Sequence, residues 1–326
     1  MTSKRALLRA ALCACATLTV PLAFAQPASY PDKTIRLIVP FAAGGPADVV
    51  AREMSIALGQ DLGQTVVVEN MGGGAGVPAT NTVSRALADG YTLLFAASGN
   101  VVIQPLLAKK RVDILSQLSP VAMVTSSPHV LVVSSKLPVR TVKEFTDYAK
   151  AHPGSVNFAS AGVGGLAHLA SELFMRDAGI DARHLAYKGS SQAMTDLVSG
   201  QVQAMFSSQP SMKGMIDKGL LRVIGLTSAS SSPAYKGIPL IKEAGVPGFE
   251  YMTWYGVYGP AGLPPAVVQR LGGALSKLAA DKGFEGRLRE QGVDLHVSTP
   301  EELADRTRKE TAAWDKVIRD SGIHLN

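Results

Sequence analysis

The sequence predicts an α/β fold built from two successive units, and three observations carry that prediction. Short apolar runs alternate with helically spaced segments from Thr34 to Thr227. Three Gly-rich segments, 40–45, 72–76 and 161–165, stand where a strand should end and a helix begin. After the strand-like run Thr253–Gly259 the chain turns helical to its end. A βαβ order of this kind predicts parallel strands covered by helices, with ligands at the carboxyl ends of the strands.

The elements follow in order. Thr34–Val39 is an apolar strand, and Asp48–Leu62 carries Val49, Val50, Met54, Ala57 and Leu58 at helical spacing. Thr65–Glu69 is β-branched, Pro78–Ala88 reads as a helix, and Asp89-Gly90 turns the chain into the strand Tyr91–Ala96. The second unit opens with the strand His129–Val133. Thr141-Val142-Lys143-Glu144 is a capping box for a helix ending near His152. Ser155–Ser160, Arg183–Tyr187, Val202–Phe206 and Arg222–Thr227 read as strands, with helices at Leu166–Ala178 and Ser191–Ser199. Residues 228–239, rich in Ser and Pro, read as a surface loop. Thr253–Gly259 is placed to return the chain to the first unit. Pro264–Ala280 is helical, and Thr299-Pro300-Glu301-Glu302 opens a last helix that should pack on the first unit.

The first 25 residues read as an export leader. Lys4, Arg5 and Arg9 precede an uncharged apolar stretch from Ala10 to Phe24, and Ala23-Phe24-Ala25 is an A-x-A cleavage site. Leu12-Cys13-Ala14-Cys15 loosely resembles a lipoprotein site, although the apolar run before it is very short. Both cysteines of the chain lie in this leader. The mature chain, expected from Gln26, therefore has no disulfide, thiol nucleophile or Cys-bound zinc. A bacterial periplasm is the expected location. Removing the leader lowers the formal charge from +6 to +3, too little to argue for nucleic acid or an anionic membrane. Later segments all fall short of about 18 uncharged apolar residues, the length of a membrane span.

Glycine at a strand-to-helix joint permits a tight turn and brings bare N–H groups near a ligand. The following helix adds unpaired amides and the positive end of its dipole. The first joint, Phe41, Ala43, Gly44 and Gly45 with Asp48, has two readings: Asp48 caps its helix, or it fixes the loop while amides of 43–47 hold a carboxylate. At the third joint Ser160 and Ala161 precede Gly164, and the Ser160 hydroxyl is placed to join the helix amides around one anionic oxygen. Tyr187, Lys188 and Gly189 end another strand, with Lys188 offering a cation. Ser98 to Asn100, and Ser207-Ser208-Gln209, supply neutral hydrogen-bonding groups after two more strands.

The search for an enzyme yields little. The six histidines have no metal-site spacing, and the sequence lacks a G-x-S-x-G elbow and a phosphate loop with Lys. His168 reads as a packed or capping residue. Gly162-x-Gly164-x-x-Ala167, with Asp181 downstream, matches a dinucleotide fingerprint outside the first βαβ unit, which keeps an NAD-dependent oxidoreductase as an alternative. Another cleft enzyme using Asp48 or Lys188 also stays open, as does a ligand sensor for a membrane signalling protein. The leading expectation is a non-enzymatic receptor for a small anion, without metal or cofactor.

Several motifs carry a family resemblance. Leu37-Ile38-Val39-Pro40-Phe41 with Gly44-Gly45 and Asp48, Val67-Val68-Glu69-Asn70, and Ala88-Asp89-Gly90-Tyr91-Thr92-Leu93-Leu94 are similar to segments of the Bug receptors. So are Asn157-Phe158-Ala159-Ser160, His168-Leu169-Ala170 with Glu172-Leu173-Phe174, Tyr187-Lys188-Gly189 and Pro260-Ala261-Gly262. These are the periplasmic solute-binding proteins of tripartite tricarboxylate transporters, and the likeness spans nearly the whole mature chain. It implies a type II periplasmic-binding fold, two α/β lobes closing on a small carboxylate, here 26–127 plus 253–326 and 128–252. It also implies integral-membrane transporter subunits as partners, and a monomer is expected. First-lobe contacts would come from Phe41 to Asp48 and Ser98 to Asn100, second-lobe contacts from Ser160 to Gly164 and the 187–189 loop. The chain departs from the family where a Ser-Thr pair is replaced by Pro46-Ala47, small hydroxyl residues by Gly165-Leu166-Ala167, and Asp-Asn by Ser207-Ser208. Each change removes polar capacity, so the expected ligand has one carboxylate and an apolar or aromatic body.

Overall fold

The computed structural model describes residues 30–44, 46–108, 111–187, 190–208 and 212–321. The expected leader lies outside these residues, as do Gly45, Lys188, Gly189, Gln209 and the Lys109-Lys110 part of an expected turn. The strands are β1 Ile35–Val39, β2 Val66–Asn70, β3 Thr92–Ala97, β4 Leu118–Pro128, β5 Val130–Ser134, β6 Val156–Ser160, β7 Ala182–Ala186, β8 Ala204–Ser207, β9 Leu221–Leu226, β10 Met252–Pro260 and β11 Asp294–Leu295. They form two sheets, ordered β11-β4-β10-β3-β1-β2 and β7-β6-β8-β5-β9.

The expectation of parallel sheets holds for part of each. β3, β1 and β2 run parallel, as do β7, β6 and β8. β10 is antiparallel to both β3 and β4, and β5 is antiparallel to β8 and β9. The connectivity explains this. The chain leaves the first sheet along β4, passes through His129 into β5, and returns along β10, so the leaving and returning strands oppose each other.

Helices α1 Pro46–Leu62 and α8 Pro265–Leu278 cover one face of the first sheet, where Val50, Met54, Leu271 and Leu275 pack on Leu37, Leu93 and Phe95. The alternation within β1 and β3 sends Ile38 and Leu94 to the opposite face, into a second cluster with Trp254, Tyr258 and Leu303. That cluster continues into Leu131, Phe158 and Phe206 of the second sheet and the flanking Phe174 and Phe249. The remaining helices are α2 Val77–Ser84, α3 Gln104–Leu107, α4 Val142–Ala151, α5 Leu166–Ala178, α6 Ser190–Ser199, α7 Lys213–Asp217, α9 Lys282–Glu290 and α10 Pro300–Ser321. The last helix packs against β4, as expected of it, and also reaches the second unit through Arg176–Asp320 at 3.5 Å and Tyr251–Trp314 at 6.2 Å.

Residues 228–239 form a mostly exposed loop, as expected, and side-chain bonds tie it to the first unit. Asp294 accepts from Ser230 Oγ at 2.5 Å and from Ser231 Oγ at 2.8 Å, while Tyr235 donates its hydroxyl to the Gly292 carbonyl at 2.9 Å. This segment is a strap from the end of β9 to the C-terminal part of the first unit. Among the described residues, no helix is long and apolar enough to cross a membrane.

Candidate functional site

The ends of the parallel strands bring the predicted loops together within each unit. After β1 the chain turns through Phe41, Ala43 and Gly44, and Gly44 adopts φ +81°, a left-handed conformation that favours glycine. Asp48, in the first turn of α1, is buried and holds this turn. Its Oδ2 accepts from Gly44 N–H and Arg52 Nε, both at 2.9 Å, and its Oδ1 accepts from Asn70 Nδ2 at 3.0 Å. Asn70 also donates to the Phe41 carbonyl at 3.2 Å. The Arg52 guanidinium, then the Gly44 amide, hold the Asp48 carboxyl down at about 2. Asp48 thus fixes the loop, and the Gly44 amide, expected among the donors to a ligand carboxylate, is spent on Asp48 itself. Arg52 and Asn70 complete that network; helical spacing i, i+4 was a signal available for Arg52.

The 72–76 loop lies against the first. A Cβ on Gly72 would come within 3.0 Å of the Ala42 nitrogen, so glycine is what lets the two backbones touch. Asn100 joins this loop to β3, accepting from Ala97 N–H at 3.1 Å and donating to the Ala75 carbonyl at 3.0 Å. Its amide is therefore occupied within the protein. Ser98 differs: it is 2 % exposed, and its hydroxyl has no hydrogen-bond partner among the described residues. It opens a π-helical turn, Gly99–Ile103, that leads into α3. Such turns are frequent at functional sites. Across the sheet Tyr255 pairs with Ala97, the residue before Ser98. Its ring stacks on Phe95 at 5.5 Å and meets Phe41 edge-on at 6.2 Å, a wall of apolar surface beside the first loop. Burial raises the Tyr255 phenol to about 12, so it stays protonated. Tyr255 was hidden in an apparently uniform apolar strand.

In the second unit, Ser160 is buried at the end of β6. Its hydroxyl donates to the Gly162 carbonyl at 2.9 Å and lies 2.6 Å from His184 Nε2. The Gly164 amide donates to His168 Nδ1 at 3.0 Å, so it is engaged within the loop. Ala161 and Val163 sit between these anchors, and their amides donate to no described group. Tyr187 is tied to the same loop by its N–H to the Ser160 carbonyl at 2.9 Å, and its hydroxyl donates to Asp196 at 2.8 Å. Ser207 ends β8 and engages in interactions of its own. Lys188, Gly189 and Gly45 lie outside the described residues. Phe41, Ala43, Gly44, Asp48, Ser98 and Asn100 form no hydrogen bond with Ser160, Ala161, Gly164 or Tyr187, so the two sets remain separate. Among the described residues no group of three His, Cys, Asp or Glu could hold a metal ion.

The family model described as the tripartite tricarboxylate transporter family receptor matches residues 50–323. The chain is 33 % identical over 302 residues to a protein named BugT from Bordetella pertussis, covering 91 % of this chain and 92 % of that one. Among solved structures it is similar to an R. palustris protein with adipate, at 30 % identity and TM-score 0.78, covering 90 % of this chain and 99 % of that one. It is also similar to MatC from Rhodopseudomonas palustris with bound malate, at 29 % identity and TM-score 0.74, covering 89 % and 100 %. The two sheets with their flanking helices are the two-lobed α/β architecture of these structures and of the periplasmic binding protein BugD, to which the chain is similar at 30 % identity and TM-score 0.74, covering 91 % of this chain and 100 % of that one.

Proposed function

We infer, from the premise that the chain belongs to the tripartite tricarboxylate transporter receptor family, that it captures a small organic carboxylate between its lobes. It then presents that ligand to membrane subunits of such a transporter. It works in the periplasm as a monomer, after loss of residues 1–25. The lobes are 26–127 plus 253–326 and 128–252, a division supported by the membership of the two sheets.

The observation that carries the reading is Ser98. A buried hydroxyl without a partner costs about 1–3 kcal/mol, and a ligand oxygen at the carboxyl end of β3 would offset that cost. The amides of Ala161 and Val163 are matching donors on the second lobe. A micromolar complex needs about −8 kcal/mol. One helix terminus contributes at most about 2 kcal/mol to an anion. Lobe closure supplies the remainder by desolvating these bonds and burying the ligand body, at about 25 cal/mol per Å² of apolar surface.

The ligand body is apolar or aromatic and carries one carboxylate. The Phe41–Tyr255 wall and the apolar replacements Pro46-Ala47 and Leu166-Ala167 support this choice. The test is thermal unfolding of residues 26–326 with mono-, di- and tricarboxylates, aromatic acids and NAD. A ligand at 100 times its Kd adds about 2.7 kcal/mol, a shift of several degrees. Benzoate-like acids should raise the midpoint most. Tight citrate binding without benzoate binding rejects the ligand class, and a response to NAD alone rejects the receptor. In Ser98→Ala the ligand-free protein should be as stable as the wild type or more so, and the response to the acid should fall about tenfold in affinity.

A further inference from the structure

We propose that His168 and His184 are positioning residues which together hold the second-lobe loop, Ser160–Gly164, in the shape that receives a carboxylate. The inference rests on the receptor reading above. The residue before helix α5 is Gly165, which has no side chain to cap it. The N-terminal anchor comes from inside the helix: His168, 6 % exposed, takes the Gly164 amide on Nδ1 at 3.0 Å. The other end of the loop is held from the neighbouring strand. His184, on β7, lies 2.6 Å from Ser160 Oγ, and Ser160 is itself 1 % exposed. The two rings stack on each other with centroids 3.7 Å apart and planes inclined by 20°. The end of β6, strand β7 and the first turn of α5 thus meet through two imidazoles directly beneath the loop.

The hydrogen bonds define the tautomers. An amide N–H can be received only by an unprotonated nitrogen, so His168 carries its proton on Nε2, the nitrogen 3.6 Å from Glu172 Oε1. The single Ser160 proton goes to the Gly162 carbonyl, so His184 donates from Nε2 to Ser160 Oγ. Two neutral rings can stack this closely where two cations could not. Above this lock Val163 is 52 % exposed, and the Ala161 and Val163 amides remain for a ligand. The lock removes two amides from the ligand's reach, that of Gly164 on His168 and that of Gly162, which donates to Ser160 Oγ at 3.3 Å.

The test separates nitrogen position from bulk and polarity. An Asn oxygen stands near Nδ1 of the histidine it replaces, and a Gln amide nitrogen stands near Nε2. His168→Asn and His184→Gln should keep slow exchange of the Gly164 amide and bind benzoate or adipate within about twofold of wild type. His168→Gln and His184→Asn, equally polar, should speed that exchange and weaken binding at least tenfold. The same exchange rate and affinity in all four variants would overturn the proposal. Should wild type fail to bind benzoate, the ligand class proposed above fails instead; adipate then serves as the probe, and where neither binds the exchange rates alone decide: fast only in the mismatched pair supports the proposal, equal in both pairs rejects it. If one variant does not fold, the pair at the other histidine gives the same comparison.

Discussion

Asp48 shows how one buried carboxylate can shape a binding loop without touching what binds there. Truncation to Ala would leave the Gly44 amide and the Asn70 side chain without their acceptor. Asp48→Ala should therefore lose about 2–4 kcal/mol in urea unfolding, most of it from these unpaired donors. The exposed Arg52 guanidinium contributes less, because water screens the ion pair. The same residue governs acid stability. Its pKa is depressed, so the stabilisation is complete above the ordinary carboxylate range, near 3.8, and is lost as pH falls toward about 2. Two histidines act at milder pH. Burial holds His129 down to about 4, and burial together with His168 holds His184 down to about 3. The unfolded chain binds these protons first, near pH 6.5, so stability should decline steadily from pH 6.5 to 4. A urea midpoint that stays flat between pH 7 and 5 would contradict this assignment.

At the scale of elements, what was legible followed from local pattern. The apolar runs of β1, β3 and β6 and the capping box of α4 are visible in the sequence, and Thr141 Oγ1 does accept the Glu144 amide at 3.1 Å. Strand β4 was not legible. Pro120 and Pro128 bracket it, and Ser119, Thr125, Ser126 and Ser127 interrupt its apolar run; long pairing with β10 overrides those local signals. Helix α9 was missed because only Phe284 and Leu288 of its side chains are buried, too few for a periodic pattern. Its signal was the cap: Asp281 accepts from Gly283 N–H at 2.9 Å and Phe284 N–H at 3.0 Å. Asp281→Ala should lower stability by about 1 kcal/mol, read as a fall in the urea midpoint. The site was legible as loops and obscure as side chains. Glycine spacing marks 40–45 and 161–165, while the roles of Asn70, Tyr255 and His184 depend on partners distant in the chain, such as Asp48, Phe41 and Ser160.

Over the whole molecule, the two crossings of the chain are stitched to each other by His129. One ring nitrogen lies 3.1 Å from the Tyr251 hydroxyl, the other 3.0 Å from Thr253 Oγ1, and its amide donates to Thr227 Oγ1 at 2.8 Å. The 228–235 strap and the contacts of α10 with Arg176 and Tyr251 join the units further, which favours rotation about one axis over free tumbling. On the receptor reading, scattering from the protein with its acid should give a smaller radius of gyration than without it. An unchanged radius despite saturating ligand would reject closure. The apolar cluster running from Ile38 through Trp254 to Phe206 has a different consequence. Besides a cluster of its own, each half shares this one with the other, so the two should melt together. Heating should produce a single calorimetric peak, and a proteolytic nick that opens one half should release the other.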